Sequence, residues 1–373
     1  MSLNFTLHKT CSKSRARLGT LITKHSTINT PVFMPVGTKA TVKGIHFSEL
    51  KDLGAEIILG NTYHLMLTPG QDIIKSQGGL HSFMNWDKSI LTDSGGYQVM
   101  SLSSLNKISD EGVKFRSHLS GEYYFLTPAK SIEIQHTLDS NITMVFDECV
   151  KYPATYEETK KALTRTHNWA QKSYQAFIQR EGYGIFGINQ GGTYQDLRID
   201  SAKFLSDINF NGYAVGGLAV GEPQNIMFEV LNYTTDHLPK NKPRYLMGVG
   251  RPQDILGAVE LGIDMFDCVM PTRAGRNAKA FTSIGELNIR NAKYKDSKDK
   301  LDSNCTCKTC QNYSLSYLHH LFRAKEMLGA MLLTYHNLHY YLNLMQEIRE
   351  AIKTDTFLEY KQKTLSNYQK NPN

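Results

Sequence analysis

Eight short apolar runs, most closing on Gly, Asp, Asn or Pro and several followed by a helical pattern, constrain this chain more than any other feature. They fall at residues 32–36, 56–61, 90–93, 142–147, 184–189, 212–215, 244–249 and 265–269. A strand covered on both faces loses the polar alternation of a half-exposed one, so such runs read as buried parallel strands. Helical periodicity occupies 48–53, 129–138, 156–179, 194–206, 224–235 and 252–261. Pro223 and Pro252 sit near helix starts, where a missing N–H costs little. Eight strands alternating with helices predict an α/β fold, a (β/α)8 TIM barrel. A doubly wound dinucleotide-binding sheet wants a Gly-x-Gly-x-x-Gly turn after an early strand, and no glycine cluster here makes one.

Two segments interrupt the alternation. Residues 113–126 alternate around Ser120-Gly121 and predict an inserted β-hairpin. From residue 291 a charged linker leads to a cysteine cluster, and a long helical stretch follows over 315–353. The expected organisation is a barrel over 1–290, a zinc-binding subdomain over 291–345 and a C-terminal helix over 346–373. No run approaches the roughly 18 apolar residues of a membrane span, and residues 1–5 carry no apolar signal core. Cys11, Cys149 and Cys268 are dispersed, unlike a disulfide framework, so reduced thiols and a cytoplasmic location without a membrane partner are expected.

Barrels carry their chemistry where strands meet the following loops. The polar residues there are Asn61, Asp93, Asp147, Gln190, Gly216-Gly217 and Asp267. One Asp after a strand is as often a helix cap as a catalyst. Three from separate strands, set among glycines and bulky apolar residues, point to one functional mouth. Paired carboxylates suit glycosidic chemistry, in which one attacks the anomeric carbon and another handles the leaving group's proton. Glycines at 95–96 and 216–217 let backbone approach a flat ligand closely. Tyr97 and Met247 stand where they either sandwich a base or pack at the rim.

Cys305, Cys307 and Cys310 form a C-x-C-x-x-C run upstream of His336. Three thiolates and an imidazole make a closed tetrahedral set, the composition of structural Zn2+. His319, His320 and His339 compete with His336 as fourth ligand. Between 271 and 300, eight basic residues face three acidic ones, a net +5 within a chain whose total is +7. Such a stretch fits a polyanion or, equally, a solvated lysine-rich loop.

The chain resembles the bacterial tRNA-guanine transglycosylases, the queuine tRNA-ribosyltransferase family, over nearly its whole length. The resemblance rests on Pro31-Val-Phe-Met-Pro-Val-Gly37, Leu59-Gly-Asn-Thr-Tyr-His64, Thr92-Asp-Ser-Gly-Gly-Tyr-Gln98 and Met144-Val-Phe-Asp-Glu-Cys149. It continues through Tyr213-Ala-Val-Gly-Gly-Leu-Ala-Val-Gly221, Tyr245-Leu-Met-Gly-Val-Gly250, Met265-Phe-Asp-Cys-Val-Met-Pro-Thr-Arg273 and the cysteine triplet with Tyr335-His336-Asn337. It implies exchange of the wobble guanine of G-U-N anticodon tRNAs for 7-aminomethyl-7-deazaguanine (preQ1), in queuosine biosynthesis.

The resemblance further implies that Asp267 is the nucleophile at the ribose anomeric carbon and Asp93 the general acid/base. Asp147 would bind the N1 and exocyclic-amine edge of guanine, with Gln190 and the Gly217 N–H at O6 and the Leu218 carbonyl at the aminomethyl group. Tyr97 and Met247 would hold the base, Arg273 and Arg276 would touch tRNA, and one Zn2+ per subunit would sit on Cys305, Cys307, Cys310 and His336. Cys149 and Val220 match the bacterial, preQ1-accepting type, whereas Asn189 and Ala278 depart from the expected residues beside key positions. The family implies a homodimer. Two rivals use the same residues: a barrel nucleoside or glycoside hydrolase, which needs neither zinc module nor basic segment, and a non-catalytic tRNA-binding subunit, which would have lost the aspartates kept here.

Overall fold

The computed structural model describes residues 3–102 and 106–369. Eight parallel strands close a barrel: β1 (Val32–Gly37), β2 (Ile57–Gly60), β3 (Ser89–Thr92), β4 (Ile142–Met144), β5 (Gly184–Asn189), β6 (Gly212–Val215), β7 (Arg244–Leu246) and β8 (Met265–Cys268). Closure comes from β8 pairing with β1, with Met265 opposite Val32 and Asp267 opposite Met34. Nearly every strand residue is buried, which is why the runs lacked alternation. The expected strand over 142–147 is regular only to Met144, although the Val145 N–H still bonds the Phe186 carbonyl at 3.1 Å. Two strand glycines make room for rings: side chains at Gly187 and Gly212 would meet Phe210 at 2.6 Å and Phe186 at 2.4 Å. Filling either space would displace an aromatic from the barrel core, the overpacking that cores tolerate poorly.

Outer helices follow the strands, among them Pro128–Thr137, Tyr156–Ala176, Gln195–Ile208, Gln224–Thr235 and Pro252–Glu260. Tyr156–Ala176 starts on a capping box, Thr155 accepting from the Glu158 N–H while Glu158 accepts from the Thr155 N–H. Between β2 and β3 lie three short helices, Thr62–Leu67, Gln71–Ser76 and Leu80–Met84, too brief to show helical periodicity in sequence. An antiparallel sheet of Asn4–Thr10, Arg17–Ile22 and Thr27–Thr30 covers the N-terminal face of the barrel. Its anchors lie at strand starts: Thr23 and Ser26 hydrogen-bond Ser89, and the Arg17 guanidinium pairs with buried Asp264 just before β8. The opposite, C-terminal face is left open.

The expected hairpin over 113–126 is two strands, Val113–Arg116 and Tyr123–Leu126, of a three-stranded sheet completed by Asn106–Ile108. Beyond β8, helix Met270–Arg276 leads to a hairpin of Lys279–Thr282 and Gly285–Asn288. The stretch expected to be helical over 315–353 divides into Leu315–Arg323 and Met327–Lys353, because Lys325 takes a left-handed φ of 61° and ends the first helix. The second helix runs through position 346 without a break, and Phe357–Gln369 follows as a separate helix. Positions 370–373 of the expected C-terminal helix lie outside the described residues. No helix among the described residues is long and apolar enough to cross a membrane.

Candidate active site

Asp93 follows β3, Asp147 lies three residues beyond β4, Gln190 follows β5, Gly217 and Leu218 follow β6, Met247 follows β7, and Asp267 belongs to β8. A closed barrel brings these strand ends to one rim, so the carboxylates share a mouth. Asp93 and Asp147 are buried, whereas Asp267 keeps some exposure at the opening.

Each carboxylate has its own set of donors. Asp93 accepts from the Thr62 N–H at 2.9 Å, from Gln98 Nε2 at 2.8 Å and from Asn61 Nδ2. Burial nevertheless pushes its carboxyl up to about 7, those three donors pull against the rise, and the Asp267 charge adds to it. A carboxyl that titrates near neutrality suits proton delivery and recovery. Asp267 Oδ1 accepts from Tyr245 Oη at 2.6 Å and from the Gly248 N–H at 2.7 Å. Desolvation raises this carboxyl above its usual value, and those two donors hold the rise down. Its neighbour Cys268 is pushed up to about 12, chiefly by burial, so the thiol at this strand end is neutral near pH 7.

Asp147 Oδ2 accepts from Gln190 Nε2 at 2.8 Å and Oδ1 from Ser94 Oγ at 3.4 Å. The Gln190 carbonyl Oε1 is buried without a partner among the described residues. Gly217 sits against that amide at φ 67°, and a side chain there would meet Oε1 at 2.4 Å. Burial pushes Asp147 up to about 6, with Gln190 and Ser94 opposing the rise. A carboxyl raised from 3.8 to about 6 favours the folded state while protonated. That contribution is complete below pH 4 and is lost as pH climbs through 6. Asp147→Asn does not titrate, so its melting temperature relative to the parent should rise between pH 4 and pH 6 by a few degrees and then level off. Thermal melts at pH 4.5 and 7.5 check this, and a constant offset would mean that Asp147 titrates normally.

Tyr97 is 52% exposed on helix Gly96–Leu102, after β3, and Met247 is half-buried after β7, on the opposite side of the barrel. Cys149 is pushed up to about 12 by burial, so it is a neutral thiol beside Asp147. Arg273 and Arg276 are exposed on Met270–Arg276, the helix that directly follows β8. Reading the sequence overlooked four supports. Tyr245 lies inside a β strand, where a core role was the default, and Gln98 and Thr62 lie in loop-helix motifs read for their other residues. The fourth is Arg198, fully buried, whose guanidinium holds the Gly192 carbonyl at 2.8 Å and the Asn189 carbonyl at 2.9 Å, bracing the turn that carries Gln190. Asn189 returns the contact, donating to the Arg198 carbonyl at 2.9 Å.

The Cys305, Cys307, Cys310 and His336 ligand atoms lie within 4.8 Å of one another. His336 Nδ1 stands 3.7, 3.5 and 3.3 Å from the three sulfurs. Tetrahedral zinc with ordinary Zn–S and Zn–N bonds requires about 3.6 Å between sulfur and nitrogen, so the donor set fits that ion. His336 Nε2 donates to the Phe281 carbonyl at 2.7 Å, which leaves Nδ1 as the ligand atom. Of the competing histidines, only His336 groups with all three cysteines among the described residues: His339 Nδ1 approaches Cys305 alone, at 3.5 Å, and His319 Nδ1 is committed to the Ile289 carbonyl at 2.8 Å.

A parallel barrel with three carboxylates at one glycine-lined mouth and a Cys3His metal-binding cluster beyond its last strand is the framework of an enzyme suited to glycosidic-bond chemistry. A family model described as queuine tRNA-ribosyltransferase matches residues 11–370. A queuine tRNA-ribosyltransferase of Rickettsia bellii is 60% identical over 338 residues, covering 91% of this chain and 94% of the relative. One of Rickettsia massiliae is 58% identical over 350 residues, covering 94% and 96%. One of Caldanaerobacter subterraneus is 54% identical over 367 residues, covering 98% of each. The chain belongs to the queuine tRNA-ribosyltransferase family, and is a pentosyltransferase.

Proposed function

We propose that the enzyme exchanges the wobble guanine of G-U-N anticodon tRNAs for preQ1 through a covalent ester between Asp267 and ribose. The observation that carries this reading is the placing of Asp93, pushed up to about 7 by burial, and Asp267, which accepts from Tyr245 Oη and the Gly248 N–H, at one barrel mouth. A base must leave the helical stack before its glycosidic bond is attacked, and an enclosed pocket then reads its edge. Asp147 accepts from guanine N1–H and the exocyclic amine, Gln190 Nε2 and the Gly217 N–H donate to O6, and the Leu218 carbonyl takes the aminomethyl group of preQ1. Tyr97 and Met247 close on the two faces of the base, and the neutral Cys149 thiol lines the pocket.

Asp267 attacks the anomeric carbon, the bond to N9 breaks, and the electron pair leaves with guanine while Asp93 supplies the proton. Asp93 then takes the proton from N9 of the incoming base. That nitrogen attacks the same carbon and the ester oxygen leaves as the Asp267 carboxylate. Two displacements preserve the sugar's configuration, and no redox cofactor is needed because one glycosidic bond replaces another. Arg273 and Arg276 hold phosphates beside the everted nucleotide. One Zn2+, bound by Cys305, Cys307, Cys310 and His336, is structural. The enzyme works in the cytoplasm as a homodimer with one tRNA across it.

Exchange is tested with radiolabelled guanine and unmodified tRNA, with preQ1 as competitor. Incorporation into RNA that preQ1 suppresses is the expected result, and guanine release without incorporation would mean hydrolysis. Tyr245→Phe removes one donor that stabilises the ionised Asp267. The acid limb of kcat/KM should move to higher pH and activity at neutral pH should fall about tenfold or more. An unmoved acid limb would detach Tyr245 from the reaction.

A further inference from the structure

The inserted sheet of Asn106–Ile108, Val113–Arg116 and Tyr123–Leu126 has one face turned to solvent, on which Arg116 donates to the Gly121 carbonyl at 2.7 Å. In antiparallel pairs, directly opposed residues share a face. Lys107 opposes Lys114, Lys114 opposes Phe125 and Arg116 opposes Tyr123, and all five side chains are exposed. Tyr123 is 63% and Phe125 51% exposed, high values for adjacent aromatics on a sheet. The opposite face, with Val113, Phe115 and Leu126, is buried.

That buried face rests on the rim of the mouth. Phe115 packs on Tyr63 with ring centroids 5.5 Å apart, and Tyr63 Oη meets His118 Nδ1 of the hairpin tip at 2.9 Å. Tyr63 immediately follows Thr62, whose N–H donates to Asp93. The sheet's open face therefore looks outward beside the entrance through which a nucleotide must pass.

We infer that this face is a stacking platform for single-stranded RNA, taking unpaired nucleotides that flank the everted guanosine. The inference rests on the proposed tRNA reading and assigns that substrate a second contact surface. Tyr123 and Phe125 offer ring faces on which bases stack, and the exposed Lys107 and Lys114 on the same face offer charge to the connecting phosphates. Lys114 Nζ already lies 5.3 Å from the Tyr123 ring centroid, so charge and π-face are interleaved. The cations favour RNA over a protein partner, because charged residues are depleted from the cores of protein interfaces. They are also distinct from the basic stretch after β8: the platform follows β3, across the barrel, so RNA bridging both would straddle the mouth.

The test uses the full chain with an unmodified G-U-N tRNA, measuring guanine exchange at varied tRNA and varied guanine. The Tyr123→Ala/Phe125→Ala double variant should raise KM for tRNA about tenfold or more, while KM for guanine and the melting temperature hold. Tyr123→Phe should behave as the parent, because stacking needs the ring and not the hydroxyl. Lys114→Glu should raise KM for tRNA and flatten its dependence on salt. An unchanged KM for tRNA in the double variant overturns the platform. A changed sedimentation coefficient with unchanged tRNA affinity also overturns it and makes the face a protein contact. If the parent itself fails to incorporate guanine, the transglycosylase reading has failed instead, and a filter-binding assay with the same tRNA still decides the platform: undiminished binding by the double variant overturns it.

Discussion

Asp267→Asn should abolish the covalent RNA adduct on a denaturing gel and lower guanine exchange by about 10⁴-fold or more. The reason lies in what the substitution keeps and what it removes. Both donors to this side chain, Tyr245 Oη and the Gly248 N–H, converge on Oδ1, so in the proposed mechanism Oδ2 is the attacking oxygen. An asparagine fits the same space and accepts the same two bonds through its carbonyl, so the barrel should fold as before. Its second atom is an amide nitrogen with no available lone pair, and no ester can form. Asp93→Asn gives the contrast: it disables proton transfer, whose contribution is about 10²–10⁴-fold, and leaves the nucleophile in place. A slow adduct should therefore still accumulate in Asp93→Asn. If the adduct survives in Asp267→Asn and vanishes in Asp93→Asn, the two assignments are reversed.

The barrel was legible because its strands are buried on both sides, and continuous apolar runs such as 184–189 have few other readings. Residues Asn4–Thr10 were not legible: they alternate between half-buried and exposed, with polar residues such as His8 and Lys9 on a small covering sheet, and no apolar face stands out. The carboxylates could be found because aspartates at the ends of separate strands are brought together by barrel closure whatever the loops do. Their supports could not, because the bond from Tyr245 to Asp267 depends on the lateral pairing of β7 with β8 and on the rotamer of a ring that is apolar over most of its surface. The fourth zinc ligand was undecided for a similar reason. Helical spacing puts His336 and His339 three residues apart on one face. Only the hydrogen bond from His336 Nε2 to Phe281, on a hairpin remote in sequence, orients one ring among the sulfurs.

That metal cluster should govern stability more than any other feature. Cys307→Ala should lower bound zinc below one ion per chain and lower the melting temperature by several degrees, and chelation of the parent should do the same, since binding energy of a structural zinc is folding energy. The cysteines belong to a small apolar cluster of their own, with Ala278, Ile289, Leu318 and Leu333, separate from the barrel core. His336 lies on the long helix Met327–Lys353, and the next residue, Asn337, ties that helix to the region beyond β8. Its Oδ1 accepts from the Phe281 N–H at 3.0 Å, and its Nδ2 donates to the Pro271 carbonyl at 2.9 Å and the Lys279 carbonyl at 3.0 Å. Helix Met270–Arg276 crosses the long helix so closely that a side chain at Gly275 would meet the Thr334 backbone at 2.7 Å. Losing a bound ion should therefore loosen the helix that presents Arg273 and Arg276, which directly follows the strand of Asp267. The zinc-depleted protein should lose tRNA affinity before the barrel unfolds, visible as a rise in KM for tRNA at temperatures where the far-ultraviolet signal is still native. Stoichiometric zinc in Cys307→Ala would remove that residue from the ligand set, and a metal-free protein with unchanged melting and tRNA affinity would remove the cluster's structural role.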